Sequence, residues 1–147
     1  MCGLDFILKQ KEMNLTTAIK LTLGIVVAIL LFHLSILFKV VPYEITWGGR
    51  LTNDFEMYVF ETVSVLVNLF LLTLLMIKGK YWNAFMPLRI VNILLWAFGA
   101  LFALNTVGNV LAKTSFEKTF AIITLALSFL ICYIQIKTGK HHLETKS

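Results

Sequence analysis

The chain has 147 residues, of which 59% are hydrophobic and only 14% charged, with a mean hydropathy of +0.84. A soluble domain carries roughly 25% charged residues to keep its surface in water, so this composition excludes an ordinary water-soluble fold and makes lipid the natural solvent. The net charge of +5 does not read as a nucleic-acid footprint, because the basic residues flank apolar runs, where they act as topology signals and headgroup contacts.

Residues 1–12 read as a loose, slightly amphipathic leader, and Met13 offers an alternative start. Position 2 is Cys rather than Gly and has no lipobox before it, so no acylation pattern is present. A membrane-spanning helix takes about 20 apolar residues, and four stretches meet that need: 21–38, 57–77, 85–104 and 120–136. The first contains His33 and no formal charge. It is too long for a cleavable signal peptide, and no small-residue cleavage site follows it. In the 39–53 connection, Tyr43-Glu44-Ile45-Thr46-Trp47 alternates before Gly48-Gly49. This resembles half of a β-hairpin; the preferred reading is an interfacial loop with Tyr43 and Trp47 at headgroup level.

Asn53-Asp54-Phe55-Glu56 has capping-box spacing ahead of the second run, whose only charge is Glu61. The loop around 78–84 is short enough to make the second and third helices antiparallel neighbours. Pro87 suits the first turn of the third helix, with Arg89 close behind. Thr114-Ser115-Phe116-Glu117 has capping-box spacing and predicts an earlier start for the fourth helix. Residues 137–147 form a polar tail in which His141-His142 reads as solvated. The expected fold is therefore all-α: one integral membrane domain built as an antiparallel four-transmembrane-helix bundle.

Orientation follows from the basic residues. Lys9, Lys11, Lys20, Lys78, Lys80, Arg89, Lys137, Lys140 and Lys146 fall on one side, nine in all, against Lys39, Arg50, Lys113 and Lys118, four in all, on the other. The richer side is cytoplasmic by the positive-inside rule, which places both termini inside.

Helical spacing gives each span one polar or small face. These are Thr22 and His33 on the first, Asp54, Glu61, Ser64 and Asn68 on the second, Asn92, Trp96, Gly99 and Ala103 on the third, and Thr124, Ser128 and Gln135 on the fourth, with Cys132 at its margin. In lipid such faces seek one another, so all four are expected to point inward. At 1.5 Å per residue, His33 and Glu61 both lie roughly 6–8 Å into the outer leaflet, and Asn68 and Trp96 share a deeper level. An ionisable residue inside a span marks a functional site by default. The sharper reading pairs His33 with Glu61 as a proton-, cation- or headgroup-binding site, extended inward by Ser64 and Asn68 and roofed by Trp47 and Arg50. A plainer reading has Glu61 reaching outward to the headgroups, His33 satisfied locally, and the remaining polar residues serving as interhelical contacts.

No metal site is expected, since His33, Glu61 and Asp54 fall short of the usual three or four well-placed ligands, and Cys2 and Cys132 make no ligand or redox spacing. Nor does the sequence hold GxSxG, HExxH or a phosphate-cradling glycine loop, so no catalytic residue and no cofactor is assigned. Three readings follow: a small-molecule, lipid or ion binding or transport protein, which is favoured; an accessory subunit of a larger membrane complex; and a lipid-modifying or isomerising enzyme with Glu61 and His33 as acid and base. Its partners are the bilayer and either further copies of itself or a larger complex.

The stretch Val41-Pro42-Tyr43-Glu44-Ile45-Thr46-Trp47-Gly48-Gly49-Arg50-Leu51, then Asp54 through Asn68, and later Leu104-Asn105-Thr106-Val107-Gly108-Asn109 with Phe116-Glu117-Lys118, resembles a group of small bacterial four-span membrane proteins with no assigned activity. The likeness runs from Met13 to about Ile136. It implies a bacterial inner (plasma) membrane and carries no chemistry with it. Small multidrug transporters do not fit, because their key acid lies in the first helix. Quinone-reducing thiol oxidoreductases need paired cysteines.

Overall fold

The computed structural model describes residues 13–47, 51–112 and 115–144. Four helices account for nearly all of them: α1 (Leu15–Leu37), α2 (Asp54–Lys78), α3 (Leu88–Val110) and α4 (Ser115–Glu144). Each contains a segment long and apolar enough to cross a membrane, of 23, 25, 23 and 23 residues in chain order. At 1.5 Å per residue, 23 residues reach about 35 Å, more than the ~30 Å hydrocarbon core. By length and composition this is a membrane protein.

The first two helices begin ahead of their apolar stretches because their first turns are capped by side chains rather than because the residues there are greasy. Asn14 accepts the Thr16 N–H at 3.3 Å, so α1 starts at Leu15, ahead of residue 21. Asn53 accepts the Glu56 N–H at 2.9 Å, and the Glu56 carboxylate reaches back to the Thr52 N–H at 2.9 Å and its hydroxyl at 3.0 Å. This is the expected capping box, closed one residue further back. Pro87 stands just before α3 rather than inside its first turn. The helix α4 begins at Ser115 and continues to Glu144, through much of the expected polar tail. Its Thr114 cap position, the leader 1–12 and residues 48–50 and 145–147 lie outside the described residues.

α1 and α2 end alike. The N–H groups of Lys39 and Val40 return to the carbonyls of Ile36 and Ser35, and those of Lys80 and Tyr81 to Ile77 and Met76. These are paired Schellman bonds, with lysine in the left-handed position at φ 57° and 59°, where glycine is the usual choice. Beyond α1, Tyr43–Ile45 forms a 3₁₀ turn closed by the Thr46 hydroxyl on the Tyr43 carbonyl at 2.8 Å. The half-hairpin alternative is thereby overturned: the local groups bond within the turn, and no strand occurs among the described residues.

The main core joins all four helices through Ala18 and Val26, Leu71 and Leu75, Val91 and Leu95, and Leu127 and Ile131. A smaller cluster of Ile36, Leu51 and Met57 sits under the 39–53 connection. The helices α3 and α4 make the closest pair. At their contact a Cβ on Gly99 would lie 3.4 Å from Cys132 Sγ, an ordinary contact distance, and the Ser128 hydroxyl donates to the Gly99 carbonyl at 2.9 Å.

The inward stripe of α3 differs from expectation. Trp96 is 47% exposed and Ala103 is exposed, whereas Val91, Leu95, Phe98 and Phe102 are buried. The face is turned by about one residue, or 100°, because the large apolar side chains fill the space against the other helices. Gly99 is buried as expected, and Asn92 is left half-buried at the edge.

Candidate functional site

Glu61 is 0% exposed, although it lies in the second turn of a helix end that begins near Asp54. Burying a carboxylate costs several kcal/mol unless its oxygens are bonded. Both are. His33 Nδ1 lies 2.6 Å from Glu61 Oε2, and the Trp47 indole N–H donates to Oε1 at 2.8 Å. The indole is a donor only, so Oε1 accepts; one proton is held between Nδ1 and Oε2.

The three residues come from α1, the loop and α2, and each is placed by its own element. His33 is one turn before the end of α1. Trp47 has φ 54°, a left-handed backbone that costs a non-glycine residue about 1–2 kcal/mol, and this conformation directs the indole onto Glu61. Its ring also packs on Phe60 at 5.0 Å between centroids.

Below this cluster lies a cavity of about 390 Å³, within the size range of small-molecule sites. His33, Trp47, Glu61, Ser64 and Asn68 all line it. Five of the six expected site residues are therefore together; Arg50 lies outside the described residues. Trp96, expected on an inward face at the same deeper level as Asn68, faces outward instead.

Ser64 and Asn68 bond mainly to their own helix. The Ser64 hydroxyl donates to the Phe60 carbonyl at 2.9 Å, and Asn68 Nδ2 to the Ser64 carbonyl at 2.8 Å. Asn68 Oδ1 has no partner, and the residue is only 8% exposed.

Asn105, Asn109 and Glu117 also line the cavity and were not assigned to the site from sequence. Asn105 and Asn109 continue the Phe98–Phe102 face at steps of three and four, so the signal was present once that face was known. The apolar run predicted an end near residue 104, which left them outside the span. Thr124, buried on α4, closes the far side, its hydroxyl 2.9 Å from that of Thr106.

No group of three or more His, Cys, Asp or Glu able to hold a metal occurs among the described residues. At the other end of the helices, Lys78 Nζ donates to Asn92 Oδ1 at 2.5 Å, and Gln135 Nε2 donates to the Asn92 carbonyl at 2.7 Å. This second polar contact ties α2, α3 and α4 together. Comparison of the chain with protein-family models, curated proteins and solved structures finds no match.

Proposed function

We propose that this chain is a small binding or transport protein of the bacterial inner membrane, which takes a small polar or amphipathic ligand into the His33–Glu61 cavity from the outer leaflet. The observation that carries the reading is a buried carboxyl group, bonded by His33 and Trp47, at the wall of a cavity of about 390 Å³ that Ser64 and Asn68 also line. Residues serving packing alone tend to close on one another and leave no such space.

The helices form an antiparallel bundle with both termini cytoplasmic. Contacts at both ends of α1 and α2 support this. Lys39 meets Asp54 at 2.5 Å, while at the opposite ends Ile19 lies beside Gly79. Asn92 with Gln135 and Gly99 with Ser128 support the same relation for α3 and α4. The basic residues crowd the end remote from the cavity, which puts the cavity in the outer leaflet by the positive-inside rule. Val63 and Leu101 line the cavity and are also exposed, which gives a lateral route from lipid.

A thermal-shift comparison tests the reading. A membrane lipid extract should stabilise purified wild type by about 2.7 kcal/mol at a hundredfold excess over Kd, and should not stabilise Glu61→Gln. Equal stabilisation of both proteins would contradict a ligand site at Glu61.

A further inference from the structure

The cavity has a neighbour. A groove of about 370 Å³ runs between α1 and α4, walled by Ile25, Ala28, Ile122, Ile123 and Ala126. Ile29, Phe32 and Phe120 line both spaces, so the two meet along one wall. A polar chamber beside an apolar groove fits a molecule with a headgroup and a chain.

Two polar side chains in the chamber are open and have bonding capacity to spare. His33 meets Glu61 through Nδ1; its Nε2 bonds to none of the described residues, and 18% of the side chain remains exposed. Asn105 lines the chamber and is exposed, and its carboxamide bonds to none of the described residues. It lies five residues before the end of α3 at Val110, about 7 Å inside that end, where a carboxamide without a partner is costly. The charged groups, by contrast, are engaged. Glu61 is held by His33 and Trp47, and Glu117 also has a partner. Among the described residues lining the chamber there is neither lysine nor arginine. An ammonium group would find no free carboxylate here, and a carboxylate or phosphate would find no cation. A hydroxyl group both donates and accepts. It therefore meets Nε2 whichever ring nitrogen carries the proton, and it meets either end of the Asn105 carboxamide.

We propose that the site holds an uncharged, hydroxyl-bearing lipid, an acylglycerol by class, with its hydroxyl groups bonded to His33 Nε2 and Asn105 and an acyl chain lying in the α1–α4 groove. The bilayer is the source because Ile122, on the groove wall, is 71% exposed, so a chain enters without leaving the hydrocarbon. This rests on the reading of the cavity as a ligand site and adds the ligand's class.

The test offers the purified full-length protein equal amounts of 1-oleoylglycerol, oleylamine and oleate, which share one chain, and counts what is retained by native mass spectrometry. Wild type should retain 1-oleoylglycerol about tenfold over each of the others, the difference expected for one well-made hydrogen bond. Asn105→Leu removes a group that bonds to nothing described in the protein, so it should leave the melting temperature unchanged and abolish that preference. Ala126→Phe should fill the groove and lower retention of 1-oleoylglycerol about tenfold, with binding of the short-chain 1-butyrylglycerol unchanged. Equal retention of the three amphiphiles, or a preference untouched by Asn105→Leu, would overturn the hydroxyl-bearing lipid. Retention of 1-butyrylglycerol equal to that of 1-oleoylglycerol, or indifference to Ala126→Phe, would overturn the place of the chain. If oleylamine or oleate is retained instead and Glu61→Gln releases it, the ligand class fails and the cavity remains a ligand site; if Glu61→Gln changes nothing retained, both fail.

Discussion

A carboxyl group without solvent contact must have both oxygens engaged, and Glu61 has them engaged by groups 28 and 14 residues away in sequence. Trp47→Phe keeps the ring against Phe60 and removes only the N–H. It should lower stability by about 1–3 kcal/mol through the orphaned oxygen, read as a drop in melting temperature in detergent; an unchanged melt would mean that the oxygen finds another donor. Lys80 makes a cleaner test of backbone strain, since it is exposed and holds φ 59°. Lys80→Gly should stabilise by about 0.5–1 kcal/mol, because relief of left-handed strain outweighs the added freedom of the unfolded chain. His33 and Glu61 were legible in the sequence because ionisable residues inside apolar runs are conspicuous. The indole bond was less so, because it depends on the left-handed backbone at Trp47, and nothing in a tryptophan codon announces that geometry. The same holds for Lys39 and Lys80: each takes a place where glycine would be expected, and Gly79 falls one residue early.

At the scale of the element, α3 explains where pattern reading succeeds and where it slips. Its existence and approximate span follow from hydrophobicity, but its face does not. Nearly every residue of α3 is apolar or small, so a stripe drawn through Asn92, Trp96, Gly99 and Ala103 competes with one drawn through Val91, Leu95, Phe98 and Phe102. Volume decides: the second set fills the core, and Trp96 turns out. α2 gave no such ambiguity, because Glu61 and Asn68 mark its face directly. At the α3–α4 contact a Cβ added to Gly99 would sit in ordinary contact range of Cys132, and anything much larger would not fit. Gly99→Ala should be close to neutral or slightly stabilising, whereas Gly99→Leu should cost about 1–3 kcal/mol by overpacking. Chemical unfolding of the two variants in parallel checks both; a tolerated leucine would show that α3 and α4 can separate without loss.

For the whole molecule, packing is uneven. The main core occupies the end with Lys20, Lys78 and Arg89, while the opposite end holds the cavity under a small apolar cluster. That end is fastened by the Lys39–Asp54 pair, whose hydrogen bond raises the lysine pKa above its ordinary value. A raised lysine contributes most while protonated, so its share of this exposed contact is present at neutral pH and fades as pH climbs through the alkaline range. The bundle's orientation has its own test. In a background lacking Cys2 and Cys132, Glu44→Cys should react with an impermeant thiol reagent from the outside of intact cells, and Lys80→Cys only after the membrane is opened. The reverse pattern would invert the topology and move the cavity to the inner leaflet.

The central claim is that Glu61 serves a ligand, and native mass spectrometry of gently extracted protein, wild type beside Glu61→Gln, tests it most directly. Wild type should carry a bound small molecule or lipid that the substitution releases. A bare wild-type protein, or an adduct retained equally by both forms, would contradict the account and leave Glu61 as a structural residue bonded to His33 and Trp47.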